Sequence, residues 1–141
     1  MKIVLDSNVA VALGMTLPYS SHAHSQMDVW QKMDCELLVP TLWVYEVTTT
    51  IRKFVSMDFM SYQTGEKTLN LIFSLHIKQI TPSDKQYQRV YHWANKLGQS
   101  QAYDAVYLAL AESLHAEFWT ADKRLYNRTQ QLKLDWTYLI S

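Results

Sequence analysis

The sequence predicts an α/β domain, a mainly parallel sheet covered on both faces by helices. Two observations carry this expectation. Short aliphatic runs at 2–5, 36–39, 77–80 and 117–120 alternate with segments of helical period. Acidic residues then stand directly after strands or in the first turns of helices, where the carboxyl edge of such a sheet would lie. Only three glycines and three prolines leave little room for flexible linkers, so most of the chain should be regular structure.

Lys2 to Leu5 is a β-branched and aliphatic run that suits a buried parallel strand and presents Asp6 at its carboxyl end. Asn8 to Leu13 is apolar and opens a helix that breaks near Gly14 and Pro18. Ala23, Met27, Trp30 and Met33 recur at helical spacing and give one apolar face. Glu36 to Val39, closed by Pro40, is the second strand. The run LWVYEVTTTIRKFV after Thr41 is rich in β-branched residues, which disfavours a helix by propensity, yet it is longer than an ordinary strand and is assigned as a helix. A helix over 61–75, a strand over 77–80 and a helix from Pro82 and Ser83 to about Leu97 follow, the last terminated by Gly98. The segment SQAYDAVYLALAESLHA is apolar all round and should be a buried helix, with Asp104 in its first turn. Glu117 to Thr120 is the fourth strand, Asp122 precedes a helix to about Asn127, and a last strand lies within 136–140.

At 141 residues and 48% hydrophobic content, the chain can build one ordinary core and not two, which predicts a single domain over 1–141. Thirteen basic residues balance thirteen acidic ones, which excludes a broad cationic face for gripping nucleic acid along its length. Any phosphate binding must therefore be local. The lone Cys35 has no disulfide partner within the chain, and the opening MKIVLDSNVAVAL meets a charge too early for a secretory apolar core. Apolar runs are all shorter than the roughly twenty residues of a membrane span. The expectation is a cytoplasmic protein with no membrane partner.

Asp6, Glu46, Asp104 and Asp122 are spread over 116 positions (from 6 to 122). If the fold gathers them they repel one another, and some must hold protons unless a cation is bound. Carboxylate oxygens are hard ligands and favour Mg²⁺ or Mn²⁺ over zinc. Each acid alone has a plainer explanation: Asp6 and Asp122 as helix caps, Asp104 as a first-turn residue favoured by the dipole, Glu46 as a solvent-facing helix residue. It is the conjunction that points to a site. Arg52, Lys53, Lys123 and Arg124 are the candidates to meet a phosphate backbone beside it, against the plainer role of a solvated helix face. His22 and His24 form an H-x-H pair with no further ligand in view and are read as polar side chains of a loop or helix start that face water. Trp30, Trp43, Tyr45, Tyr62, Tyr87, Tyr91 and Trp93 lie on the expected helices; most should be core, but a helical surface this rich in large side chains also offers an association face, which predicts a homodimer.

Four blocks, LDSNVAVAL, VPTLWVYEVTTTIRK, AYDAVYLALAESL and FWTADKRL, occur in an order that resembles the PIN-domain proteins of the VapC-like group over nearly the whole chain. The resemblance implies a three-layer α/β/α sandwich with a central, mainly parallel sheet of about five strands. It implies a metal-dependent endoribonuclease that leaves a 5′-phosphate and a 3′-hydroxyl, with Asp6, Glu46, Asp104 and Asp122 as catalytic and metal-binding acids. Asn8 and Thr120 match secondary polar positions that orient carboxylates or water. The same resemblance implies the toxin of a toxin–antitoxin pair, with an RNA substrate and a cognate antitoxin protein. Two other readings remain: a PIN-like module that binds RNA or protein with little catalysis, and a phosphotransfer domain using Asp6 as nucleophile. Against the latter, Asn8 stands where a D-x-D motif needs its second acid, and no lysine follows a late strand convincingly.

Overall fold

The computed structural model describes all 141 residues. Strand β1 (Lys2–Leu5) leads through helices α1 (Ser7–Gly14) and α2 (Ser20–Lys32) to β2 (Glu36–Pro40). Helices α3 (Leu42–Ser56) and α4 (Tyr62–Phe73) lead to β3 (Lys78–Ile80). Helices α5 (Asp84–Leu97) and α6 (Tyr103–Leu114) lead to β4 (Glu117–Thr120), and α7 (Lys123–Gln131) to β5 (Thr137–Leu139). The five strands form one wholly parallel sheet in the order β3-β2-β1-β4-β5, as the alternation of strands and helices predicts. The chain winds outward from β1 in one direction and then, from β4, in the other. That reversal opens a crevice at the carboxyl ends of β1 and β4, the usual place for a ligand in such sheets.

Packing explains the elements that propensity leaves ambiguous. In α3 the buried residues are Trp43, Val47 and Ile51, four apart, so one face of the helix is held by the core despite its β-branched content. α6 packs across β1, β2 and β4 with α5 laid against it, and its Ala105, Leu108, Ala109 and Ala111 are buried as its composition requires. Small residues let this helix lie close to the sheet. α7 runs to Gln131, one turn beyond the expected end near Asn127, because buried Thr129 shares a hydrogen bond of 2.8 Å with Thr137 of β5. No helix is long and apolar enough to cross a membrane.

Gly14, the last residue of α1, lies against α4 so closely that a Cβ there would overlap Ile72 Cγ1, with Thr68 Cγ2 also in contact at 3.4 Å. Ile72 is fully buried and has little freedom to yield. Gly14→Ala should lower stability by about 1 kcal/mol, overpacking outweighing the gain in helix propensity. Denaturant unfolding with an unchanged m-value checks it, and a more stable variant would show that α4 can retreat.

Candidate active site

The register of β1 on β4 builds the centre of the site. Leu5 pairs with Trp119, and the Asp6 N–H donates to the Trp119 carbonyl at 2.9 Å, so Asp6 stands beside Thr120 at the switch point. Asp6 is the N-cap of α1: its Oδ1 accepts the Ser7 N–H at 2.8 Å. Its Oδ2 accepts the Thr120 hydroxyl at 2.8 Å and the Asn8 amide at 3.3 Å. Asn8 Oδ1 in turn accepts the Ala121 N–H at 3.0 Å, and Thr120 Oγ1 accepts the Asp122 N–H at 3.0 Å. Asn8 and Thr120 therefore lock the ends of β1 and β4 together and aim Asp6. Asp122 caps α7 through Oδ1, which accepts the N–H groups of Arg124 and Leu125.

The other two acids come from helices. Glu46, one turn into α3, accepts the Tyr107 hydroxyl on Oε1 at 2.6 Å, and Asp104 accepts the Gln99 amide on Oδ2 at 2.7 Å. Tyr107 and Asp104 lie three residues apart on α6, so one face of that helix carries an acid and the group that orients a second acid. Neither Tyr107 nor Gln99 stands out in the sequence by motif. A tyrosine inside an otherwise aliphatic, buried helix was the available signal, because its hydroxyl requires a partner.

The charges feel one another. Asp6 is 6% exposed, and burial raises its carboxyl to about 7, with the charges of Asp104 and Glu46 adding to the rise and the Thr120 hydrogen bond opposing it. Burial also raises Glu46, opposed by the Tyr107 hydroxyl and reinforced by Asp104. Asp104 is raised first by burial and also by Asp122, against the Gln99 hydrogen bond. The fold thus gathers all four acids into one electrostatic neighbourhood. No cation of the protein balances them: the only ion pair is Arg89 with Glu112, at the other end of α6.

Glu46, Asp104 and Asp122 each commit one carboxylate oxygen to a protein donor and leave the second without one. This is a hard, anionic donor set, and it fits a divalent cation by its chemistry. As they stand, no three of the acids converge closely enough to grip one ion together.

Two cavities flank Glu46 and Tyr103. One, of about 470 Å³, opens on the α5–α6 connection beside Asp104, and the other, of about 450 Å³, lies along α3 and includes Ser7, Thr49 and Lys53. Lys53 therefore faces the same region as Glu46. Arg52 instead lines a separate groove between α3 and α4 with Tyr62 and Glu66. Lys123 and Arg124 are exposed in the first turn of α7, next to Asp122. His22 and His24 are both exposed on α2.

A wholly parallel sandwich with unbalanced carboxylates at its switch point is a doubly wound α/β domain with an acidic strand-end site. Within that class the chain belongs to the PIN domain family, whose model matches residues 4–137 and whose members are in general nucleases. Among solved structures it is similar to VapBC2 from Rickettsia felis bound to a promoter DNA fragment, with a TM-score of 0.69 and 14% identity over 99% of this chain and 97% of that one. A toxin–antitoxin complex from Klebsiella pneumoniae matches with a TM-score of 0.68 and 16% identity, covering 99% and 98%. PAE2754 from Pyrobaculum aerophilum matches with a TM-score of 0.65 and 22% identity, covering 91% and 79%. At these identities the likeness is one of fold. No curated protein matches the chain in sequence.

Proposed function

We propose that this protein is an Mg²⁺- or Mn²⁺-dependent endoribonuclease and the toxin of a toxin–antitoxin pair, acting in the cytoplasm. The observation that carries the reading is the gathering of Asp6, Glu46 and Asp104, with Asp122 acting on Asp104, and none of the four ion-paired to a protein cation. Asp6 and Asp104 would hold the metal, Glu46 would assist directly or through water, and Asp122 would complete the site. Bound there, the cation supplies an activated water and neutralises charge building on the phosphate. The chain's own groups do the rest. Thr120 and Asn8 fix the Asp6 carboxylate, Tyr107 fixes Glu46, and Gln99 holds Asp104. Lys53 is placed to attract the substrate phosphate from the α3 side.

The toxin assignment draws on family membership and on neighbours solved as VapBC or toxin–antitoxin complexes. A cognate antitoxin would be encoded in a small reading frame beside this one and would purify with the protein. Exposed Tyr87 and Tyr91 on α5 supply aromatic surface for pairing two copies. One observation favours a second reading, a PIN-like RNA- or protein-binding module with weak catalysis: the acids are not drawn into a cage.

Cleavage of total RNA by purified protein separates the two. The nuclease should cut at few sites with Mg²⁺ or Mn²⁺, stop on chelation, and lose about two orders of magnitude or more in rate with Asp104→Asn. Cleavage that persists in chelator, or in the variant, would sink the metal mechanism. Well-folded protein that cuts nothing would favour the binding module.

A further inference from the structure

We propose that the open edge of β3, with the cavity beside it, is a docking site for an extended acidic segment of a partner protein, one tyrosine of which fills the cavity. That cavity shares no lining residue with those around Glu46, and the inference stands whether or not the acids cut RNA.

The backbone supplies the first half of the site. β3 pairs with β2 on one side and with nothing on the other. Its outward N–H and C=O groups find no backbone partner elsewhere in the chain. Such a row is a template for one more strand.

The cavity supplies the second half. It measures about 150 Å³ and is walled by Trp43 and Val44 of α3, Ile72 and Phe73 of α4, and Ile77 and Gln79. Trp43 and Ile72 are buried, while Phe73 and Gln79 are exposed at the rim. An apolar cavity of this size accepts one benzene-sized group. Trp43 is 1% exposed, yet its Nε1–H has no acceptor in the protein. A buried donor in that state is uncommon. Trp93 carries the other one, and it has the Glu112 carboxylate beside it. The group that enters beside Trp43 should therefore bring an aromatic ring and an oxygen acceptor, and a tyrosine side chain has both. A side-chain pocket next to an unpaired backbone edge is the pattern of strand addition: main-chain bonds hold the segment and the pocket selects its side chain.

The surroundings choose the charge of that segment. From Lys67 to Ser83 the chain carries Lys67, His76 and Lys78 and no acidic residue. Lys78 is exposed and in no ion pair. A lysine on an edge deters a second copy of the same strand, and β3 has no aromatic side chain to offer another copy's cavity. An acidic segment meets neither obstacle. Side chains alternate along a strand, so the residues flanking the tyrosine fall on the face of Lys78, opposite Gln79. Glu-Tyr-Glu is the matching core.

The test is a titration of the capped peptide Thr-Glu-Tyr-Glu-Thr, to millimolar concentration, into the isotope-labelled full chain in chelator, followed by NMR. The Trp43 indole N–H and the Lys78, Gln79 and Ile80 amides should shift together with one dissociation constant, while the Asp104 amide stays in place. Thr-Glu-Phe-Glu-Thr, which lacks the acceptor, should bind about fivefold less tightly. Thr-Lys-Tyr-Lys-Thr should bind about tenfold less tightly, and Lys78→Glu should invert the preference between the two tyrosine peptides. Absence of any shift at the indole and at β3 would overturn the proposal. So would shifts confined to the indole, which would make the cavity a small-molecule site without strand addition. The same shifts produced by protein concentration alone would overturn it in favour of an interface between two copies. Equal binding of the glutamate and lysine peptides would remove the acidic partner.

Discussion

Asp6→Asn should make the metal-free protein more stable at pH 8 while abolishing its proposed activity. The Asp6 carboxyl is raised to about 7 by burial, whereas in the unfolded chain it titrates near 3.8. Between those values the folded protein holds a proton that the unfolded chain has released. The stability associated with protonated Asp6 is therefore complete below about pH 4 and is lost as pH rises through 7. A shift of this size corresponds to on the order of 4 kcal/mol. Asparagine removes the charge and keeps the cap on Ser7, so the variant escapes the loss. In chelator its Tm should exceed the parent's by about 10 °C at pH 8, and the two should converge near pH 4. Divalent metal should reverse the order by stabilising the parent. A parent as stable as the variant at pH 8 without metal would show that Asp6 is not strained by its burial. The acid that lowers stability is the one the proposed chemistry requires.

Thr120→Val should be the most damaging conservative change near the site. The hydroxyl is fully buried, donates to Asp6 at 2.8 Å and accepts from the Asp122 N–H at 3.0 Å. Valine fills the same space and does neither. Asp6 then loses the hydrogen bond that most favours its charged form, and a backbone N–H at the start of α7 loses its acceptor. The cost should be about 2 to 3 kcal/mol at pH 8 and smaller at pH 5, where Asp6 is largely protonated. The acid limb of metal-dependent cleavage should move to higher pH. Chemical denaturation at the two pH values checks the first statement, and a pH-rate profile the second. Equal losses at both pH values would mean that Thr120 serves packing alone.

Much of this architecture was legible in the sequence because it is written in local chemistry. Asp6 and Asp122 follow strands of aliphatic and aromatic residues, and Asp104 opens a helix too apolar to be anything but buried. The parallel sense of the sheet follows from the alternation of elements, whereas its strand order is set by tertiary pairing. What could not be read depends on tertiary packing. The length of α3 assigns it as a helix against its β-branched propensity, but the face it buries, Trp43, Val47 and Ile51, comes from packing. Arg52 and Lys53 are adjacent in the chain yet line different cavities, because successive residues on a helix point about 100° apart. Gln99 and Tyr107 are ordinary residues locally, and their contacts with Asp104 and Glu46 come from the way α6 and its preceding loop meet α3. The extra turn of α7 rests on Thr129 meeting Thr137, a partner that local sequence does not announce.

Because β1 occupies the middle of the sheet and takes β4 as its second neighbour, Asp6 waits through 114 residues of chain for the hydroxyl that positions it. During synthesis the first strand emerges long before the fourth. A ribosome that stops before Glu117 releases a fragment holding Asp6, Glu46 and Asp104 but lacking both Thr120 and Asp122, with one side of β1 unpaired. Truncated products are therefore without an assembled centre. The order of the strands thus sets an interval in synthesis, delaying assembly of the acidic centre until β4 has emerged to pair with β1.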